Sequence, residues 1–182
     1  QGVSSAASDV YKRQLQDLDV SFDSIYGPAY KGIFLASIIG ARLEKSDLNV
    51  PVSFNRKEEK DHGEGGDIIG QLPSGNVLIV DDVISAGTAA RESIEKIKSI
   101  GANPKVMLVG LDRQEKGSSE ISAKAELEND FGLTVSSIVN LDLLISFVSD
   151  APNFKEFKSD LEEYRSNSVS YTHLRAHETS LH

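Results

Sequence analysis

The sequence predicts an α/β fold, a mostly parallel central sheet with helices on both faces. Two observations carry this expectation. Short apolar runs alternate with helix-length amphipathic stretches along the chain, the arrangement of repeated strand-helix-strand units. The runs at 77–80 and 106–111 are moreover continuously apolar, as strands buried on both faces require. Length and composition agree: 182 residues, 39% hydrophobic and 26% charged, suit one ordinary domain with a full core.

In chain order, residues 22–26 form a β-prone run ended by Gly27-Pro28, and 33–45 carry a helical apolar pattern. Residues 50–54 read as a second strand. From 55 to 75 there is no apolar period, only charges, glycines and a Pro73-Ser74-Gly75 turn, and loops of that length in a compact domain are commonly functional. Strand 77–80 closes on Asp81-Asp82. A loop and a helix over 88–100 follow, with Gly101 as its stop. Strand 106–111, a charged helix over 119–129, strand 134–139, a helix over 141–148 and a last helix over 154–165 complete the domain, expected to span 15–168.

The two ends read differently. Residues 1–14 and 169–182 show no sustained period and resemble translated sequencing-adapter sequence, so they are set aside from the fold as a tag would be. His173, His177 and His182 have no partner ligands nearby in sequence, and no metal site is read there.

Charge and composition exclude several classes. Cysteine is absent, which removes disulfides, thiolate zinc sites and cysteine nucleophiles, and a reducing cytoplasm is the expected compartment. No apolar run reaches the roughly 18 residues of a membrane span, so no membrane partner is expected. The net charge of -9 argues against a nucleic-acid partner, since such proteins carry a basic surface.

The sharpest segment is Val77-Leu-Ile-Val-Asp-Asp-Val-Ile-Ser-Ala-Gly-Thr88. Ligands of open α/β sheets bind outside the carboxyl ends of the strands, and here that end offers two carboxylates and then a small-residue loop feeding a helix. Backbone N–H groups from Ile84 to Thr88, with the Ser85 and Thr88 hydroxyls, suit a phosphate at the positive end of the helix dipole. Asp81 and Asp82 suit sugar hydroxyls or a magnesium ion. A lone Asp-Asp more often just ends a strand; the complete string carries the signal. Walker and dinucleotide-binding glycine patterns are absent.

This segment resembles the phosphoribosyl-pyrophosphate signature of the type I phosphoribosyltransferases. Tyr26-Gly-Pro-Ala-Tyr-Lys-Gly32 and Phe54-Asn-Arg-Lys-Glu-Glu-Lys-Asp-His-Gly-Glu-Gly-Gly66 resemble the pyrophosphate loop and mobile catalytic loop of the orotate phosphoribosyltransferases, and Leu111-Asp-Arg-Gln-Glu115 resembles their orotate-side strand end. The likeness covers about 22–165.

The resemblance implies the type I phosphoribosyltransferase fold and transfer of phosphoribosyl from phosphoribosyl pyrophosphate to orotate, with magnesium as cofactor, in pyrimidine biosynthesis. It implies that phosphoribosyl pyrophosphate is bound by Tyr30, Lys31, Arg56, Lys57, Lys60, His62, Asp81 and Asp82 and by the loop Val83, Ile84, Ser85, Ala86, Gly87, Thr88 and Ala89. Orotate falls to Ser85 and Arg113. Lys60, His62, Asp81 and Asp82 carry the catalytic roles, with Lys60 or His62 as proton donor to the leaving group. Asp82 holds the metal directly or through water or substrate.

A homodimer follows, with the loop reaching the neighbour's site. That loop has no apolar anchor between 55 and 66, and it is expected to be exposed and mobile in the free chain. Ser85 stands where the family commonly has Thr and keeps the hydroxyl. The family also carries a segment ahead of the first strand that supplies a lysine and an aromatic pair; only 15–21 corresponds to it here, so this N-terminal hood is expected to be largely missing and activity reduced or lost. Two other functions share the motif: a non-catalytic regulator of nucleotide genes that binds phosphoribosyl pyrophosphate, and a phosphoribosyltransferase for another base.

Overall fold

The strand that carries the two acids lies inside a six-stranded sheet of order β3-β2-β1-β4-β5-β6. A computed structural model describes residues 10, 13–15, 20–44, 48–56 and 67–169 of the chain. Its strands are β1 (Ser24–Gly27), β2 (Val52–Asn55), β3 (Ile68–Gly70), β4 (Asn76–Ile84), β5 (Asn103–Asp112) and β6 (Thr134–Asn140). All neighbours pair in parallel except β3, which runs antiparallel to β2 at the edge. The helices are α1 (Lys31–Glu44), α2 (Thr88–Ser99), α3 (Ala123–Phe131), α4 (Leu141–Asp150) and α5 (Lys158–Ser168), the last preceded by a 3-10 turn, Pro152–Phe157.

The alternation along β4 explains the two-sided burial. Val77 and Ile79 face one core with Ala90, Ile94 and Ile97 of α2 and Leu127 of α3. Leu78 and Val80 face the other, with Ala36, Ile39 and Leu43 of α1. Successive side chains of a strand point to opposite faces, so a run of four apolar residues fills both layers. A smaller cluster of Leu141, Ile145 and Val169, with Leu161 and Tyr164 packed on it, joins α4 to α5.

Several boundaries differ from the sequence expectation. β4 does not close at Asp81-Asp82: Asp81, Val83 and Ile84 stay in register with Val109, Leu111 and Asp112 of β5. Pairing with a long neighbour carries the strand past the point where apolar character stops. Ile84 is buried, which shortens the expected phosphate loop to residues 85–87. The helix expected over 119–129 begins at Ala123, because Ser122 caps it by accepting the Ala125 N–H at 3.2 Å, while Ser118 and Ser119 turn back onto Glu126. The last helix starts as a 3-10 turn. β3 was hidden by its length, and Gly70 has a φ of 95°.

At the margins, the Gln14 side chain donates to Ser136 Oγ at 3.1 Å, Leu15 is buried, and Val169 is buried and bridges Glu115. Ordered contacts thus reach one residue beyond each expected end of the 15–168 domain.

Candidate active site

Chain order reverses between β1 and β4. From β1 the chain moves outward to β2, and from β4 it moves the other way to β5 and β6. The crevice at the carboxyl ends of such a strand pair is where open α/β sheets bind ligands, and every described candidate residue but Arg113 follows β1 or β2 or lies on or just after β4. Arg113 follows β5, and its N–H donates to the Ile84 carbonyl at 3.1 Å, which sets it beside the loop that leaves β4.

The turn between β1 and α1 is shaped by two glycines. A Cβ on Gly27 would lie 2.3 Å from the Gly32 carbonyl oxygen, and one on Gly32 would lie 2.6 Å from the Val80 carbonyl oxygen. These approaches are backbone against backbone, so neither position accepts a side chain, and the turn folds tightly against β4. The Ala29–Tyr30 peptide is cis, and the Ala29 N–H donates to Asn55 Oδ1 at 2.9 Å. Tyr30 and Lys31, at the start of α1, are exposed.

Asp81 and Asp82 fall on opposite faces of β4. Asp82 shares its face with Leu78 and Val80, the α1 side, and Lys31 at the start of α1 reaches it, Nζ to Oδ2 at 2.6 Å. This contact holds the Lys31 ammonium above its usual range, first through the hydrogen bond and then through the Asp82 charge. Asp81 is more enclosed. Burial pushes its carboxyl up to about 6, opposed by the Asp82 N–H that donates to its Oδ1 and reinforced by the Asp82 charge.

Beyond Ile84 the chain makes a three-residue bend into α2. Gly87, with φ 86°, occupies the helix N-cap and offers no side-chain cap to the first turn. Glycine suits this left-handed conformation because it has no Cβ. The leading N–H groups of α2 therefore receive no side-chain cap from Gly87, the arrangement that accepts an anion.

Arg56 follows β2, and its N–H donates to the Asp67 carbonyl at 2.8 Å. A cavity of about 310 Å³ brings it together with Pro28, Ala29, Asn55, Tyr26 and Lys96. Lys96 is paired there with Asp67 at 2.7 Å, and burial followed by the Asp67 charge pushes the Tyr26 hydroxyl up to about 12. The expected catalytic loop, with Lys57, Lys60 and His62, lies outside the described residues. Among the described residues no three His, Asp or Glu side chains cluster as metal ligands.

Residues 2–127 match the phosphoribosyl transferase domain family. The orotate phosphoribosyltransferase of Laribacter hongkongensis (strain HLHK9) is 46% identical over 155 residues, covering 85% of this chain and 73% of that one. That of Marinobacter nauticus is 46% identical over 158 residues, covering 87% and 74%. The chain belongs to the orotate phosphoribosyltransferase family.

Its fold agrees with that family. The orotate phosphoribosyltransferase of Francisella tularensis superposes with a TM-score of 0.74 at 32% identity, over 93% of this chain and 82% of that one. The UMP synthase of Leishmania donovani superposes with a TM-score of 0.69 at 27% identity, over 90% of this chain and 33% of that one. The type I phosphoribosyltransferase fold expected from the motifs is therefore the fold observed.

Within this member of the orotate phosphoribosyltransferase family, Tyr30 and Lys31 follow β1, Asp81 and Asp82 lie near the end of β4, Ser85 to Ala89 follow it and Arg113 follows β5, with Lys31 joined to Asp82 and the Arg113 N–H to the Ile84 carbonyl. Val83 and Ile84 differ from the rest of the expected loop: they continue the strand, and their backbone belongs to the sheet. Residues that the motifs did not single out also reach Arg113. Glu115 takes its Nε at 3.0 Å, and the Tyr164 ring lies 5.1 Å from its guanidinium carbon. Glu115 was visible within the 111–115 motif, whereas Tyr164, on a helix dozens of residues away, carried no local signal.

No helix among the described residues is long and apolar enough to cross a membrane.

Proposed function

We propose that this chain transfers the 5-phosphoribosyl group from phosphoribosyl pyrophosphate to orotate, giving orotidine 5-monophosphate and pyrophosphate. The observation that carries this reading is the placement of two carboxylates near the end of β4 ahead of a helix that starts six residues after Asp82 and whose N-cap, Gly87, brings no side-chain cap. That spacing fits a ribose whose hydroxyls meet the acids while its 5-phosphate meets the amides of residues 85–88. The bond from C1 to the pyrophosphate oxygen breaks and a bond from C1 to the pyrimidine ring nitrogen forms as that nitrogen gives up its proton to solvent, so the protein need supply no covalent nucleophile.

Each group has a role in that displacement. The Asp81 and Asp82 carboxylates accept from the ribose hydroxyls and orient C1. Gly87, Thr88 and the start of α2 hold the phosphate. Lys31 and Arg56, with Lys57, Lys60 and His62, neutralise the leaving pyrophosphate, and Arg113 faces the orotate. Lys60 or His62 gives the departing oxygen its proton. Excluding water protects the activated sugar from hydrolysis.

Magnesium fits the donor set. The acid pair offers hard oxygen ligands, yet two carboxylates alone are too few for a closed protein cage. Such an ion takes its remaining oxygens from water and substrate phosphates, as magnesium characteristically does. Asp82 would hold it, directly or through water, and when bound it supplies positive charge against the pyrophosphate. The functional unit we propose is a homodimer of a cytoplasmic enzyme in pyrimidine biosynthesis, the loop of one subunit reaching the site of the other.

Steady-state assays with orotate, uracil and hypoxanthine as acceptors, with and without magnesium, test the reading. Orotate-dependent release of pyrophosphate that requires magnesium is the expected result. Equal turnover of uracil or hypoxanthine would assign the chain to another base, and binding of phosphoribosyl pyrophosphate without any turnover would favour a regulator.

A further inference from the structure

We propose that Glu115 and Tyr164 are positioning residues that hold the Arg113 guanidinium ready for the carboxylate of the pyrimidine, so that the C-terminal helix α5 sets the preference for an anionic base. The inference rests on the reading of Arg113 as an orotate contact and names what orders it.

Arg113 leaves the end of β5 with its side chain 41% exposed. A long exposed arginine samples many rotamers, and fixing it on a ligand costs entropy. Here two contacts fix it beforehand, and a third holds Glu115 in place. Glu115 Oε1 forms an ion pair with Nε at 3.0 Å. The Tyr164 ring lies against the guanidinium, 5.1 Å from ring centre to Cζ. The Tyr164 hydroxyl donates to the same Glu115 oxygen, which keeps the carboxylate on the Nε side. The terminal edge of the planar fork is then the edge offered to a planar carboxylate, the geometry for which arginine is suited.

The support is itself anchored. Gln114 sits at a φ of 56°, an uncommon conformation for a residue with a side chain. Asp112 Oδ1 accepts its N–H at 2.8 Å, and its side chain exchanges hydrogen bonds with Asp142 at the start of α4. Lys116 N–H donates to the Ser168 carbonyl at 3.1 Å, and Val169 bridges Glu115. The strand end that bears Arg113 and the end of α5 are therefore tied on both sides, and Tyr164 packs with Leu141, Ile145 and Val169. None of the contacts named here is to Asp81, Asp82 or the α2 amides, so the effect is expected on the base rather than on the ribose phosphate.

Equilibrium binding to the full chain by calorimetry tests this without requiring turnover, using orotidine 5-monophosphate, uridine 5-monophosphate and ribose 5-phosphate as probes. The unmodified chain is expected to prefer the orotate nucleotide over the uracil nucleotide. Arg113→Ala should abolish that preference. Tyr164→Ala should reduce it about fivefold, the scale of a lost ring-to-cation contact, with ribose 5-phosphate affinity unchanged. Tyr164→Phe, which keeps the ring, should retain most of the preference, and Glu115→Gln should lose part of it. In an Arg113→Ala background, Tyr164→Ala should have no further effect on the ratio.

An unchanged ratio in both Tyr164→Ala and Glu115→Gln, with Arg113→Ala still abolishing it, would overturn the positioning role alone. A ratio unmoved by Arg113→Ala would overturn the orotate contact and this proposal with it. Should Tyr164→Ala fail to fold, Glu115→Gln decides: a lowered ratio at constant ribose 5-phosphate affinity supports the proposal, and equal loss for all three probes overturns it.

Discussion

Lys31 Nζ lies 2.6 Å from Asp82 Oδ2 and joins the first turn of α1 to the end of β4 across the crevice. The ammonium is largely exposed, at 76%, while the carboxylate is 32% exposed, so the lysine can leave its partner at little cost. An exposed pair of this kind contributes little to stability. On the proposed reading, this pair sets a cation beside an acid assigned to the ribose, within reach of the pyrophosphate.

Lys31→Ala should therefore weaken phosphoribosyl pyrophosphate more than ribose 5-phosphate, which lacks the pyrophosphate. A loss of about tenfold is expected for the former, the scale of one charged hydrogen bond, with less than about twofold for the latter. Calorimetric titration of both ligands checks this. Equal losses would place Lys31 with the ribose acids instead.

Asp81 links the site to stability. Its carboxyl stands at about 6 against an ordinary 3.8, chiefly because of burial. Below about pH 4 both folded and unfolded chains hold this proton. Between 4 and 6 the unfolded chain has released it while the folded chain keeps it, so stability falls as pH rises through that window and stays lower above it. In the presence of EDTA, Asp81→Asn should raise stability by about 1–2 kcal/mol at pH 8 and by much less at pH 4. Urea unfolding at the two pH values checks the difference; a gain confined to acid pH would contradict the sign.

Glu126 on α3 behaves oppositely. It is buried and accepts from the Ser118 N–H at 2.9 Å, the Ser119 N–H at 2.6 Å and Arg91 Nη2 at 2.8 Å. The Ser119 hydroxyl, which also donates to Oε1, is foremost in holding its carboxyl down at about 2 against an ordinary 4.5, and these donors join it while burial opposes them. The stability it contributes is complete above about pH 4.5 and is lost as pH falls toward 2. Glu126→Ala should cost about 3 kcal/mol at pH 7, since it leaves the donors unmet, and should flatten the acid limb of the unfolding midpoint between pH 5 and 3.

Much of this was legible in the sequence for a physical reason. Val77 to Val80 must be apolar on both faces because α1 and α2 cover both, and the small residues after Ile84 must be small because the chain bends into a helix there. Those constraints are local. What was not legible depends on partners distant in sequence. The extension of β4 past Asp82 to Ile84 comes from β5 pairing, the late start of α3 from Ser118 and Ser119 turning to Glu126, and the setting of Arg113 from Tyr164 on α5. A residue at the far end of the chain leaves no trace in the spacing around the site it serves.

The last expectation separates binding from catalysis. Arg56, Lys57, Lys60 and His62 lie within seven positions of one another, interleaved with Glu58, Glu59 and Asp61, so the placement of individual cations rather than a net positive charge would have to meet the leaving group. Pyrophosphate gains charge as it departs, so a cation placed on it acts more strongly in the transition state than in the ground state. Lys60→Ala should accordingly lower kcat by about a hundredfold with a modest change in KM. Asp82→Asn should also weaken binding of phosphoribosyl pyrophosphate, because a ribose acid is engaged before and during the displacement. Initial-rate measurements over both substrates distinguish the two patterns: if Lys60→Ala raised KM and left kcat untouched, Lys60 would be a ground-state binding residue with no part in pyrophosphate departure.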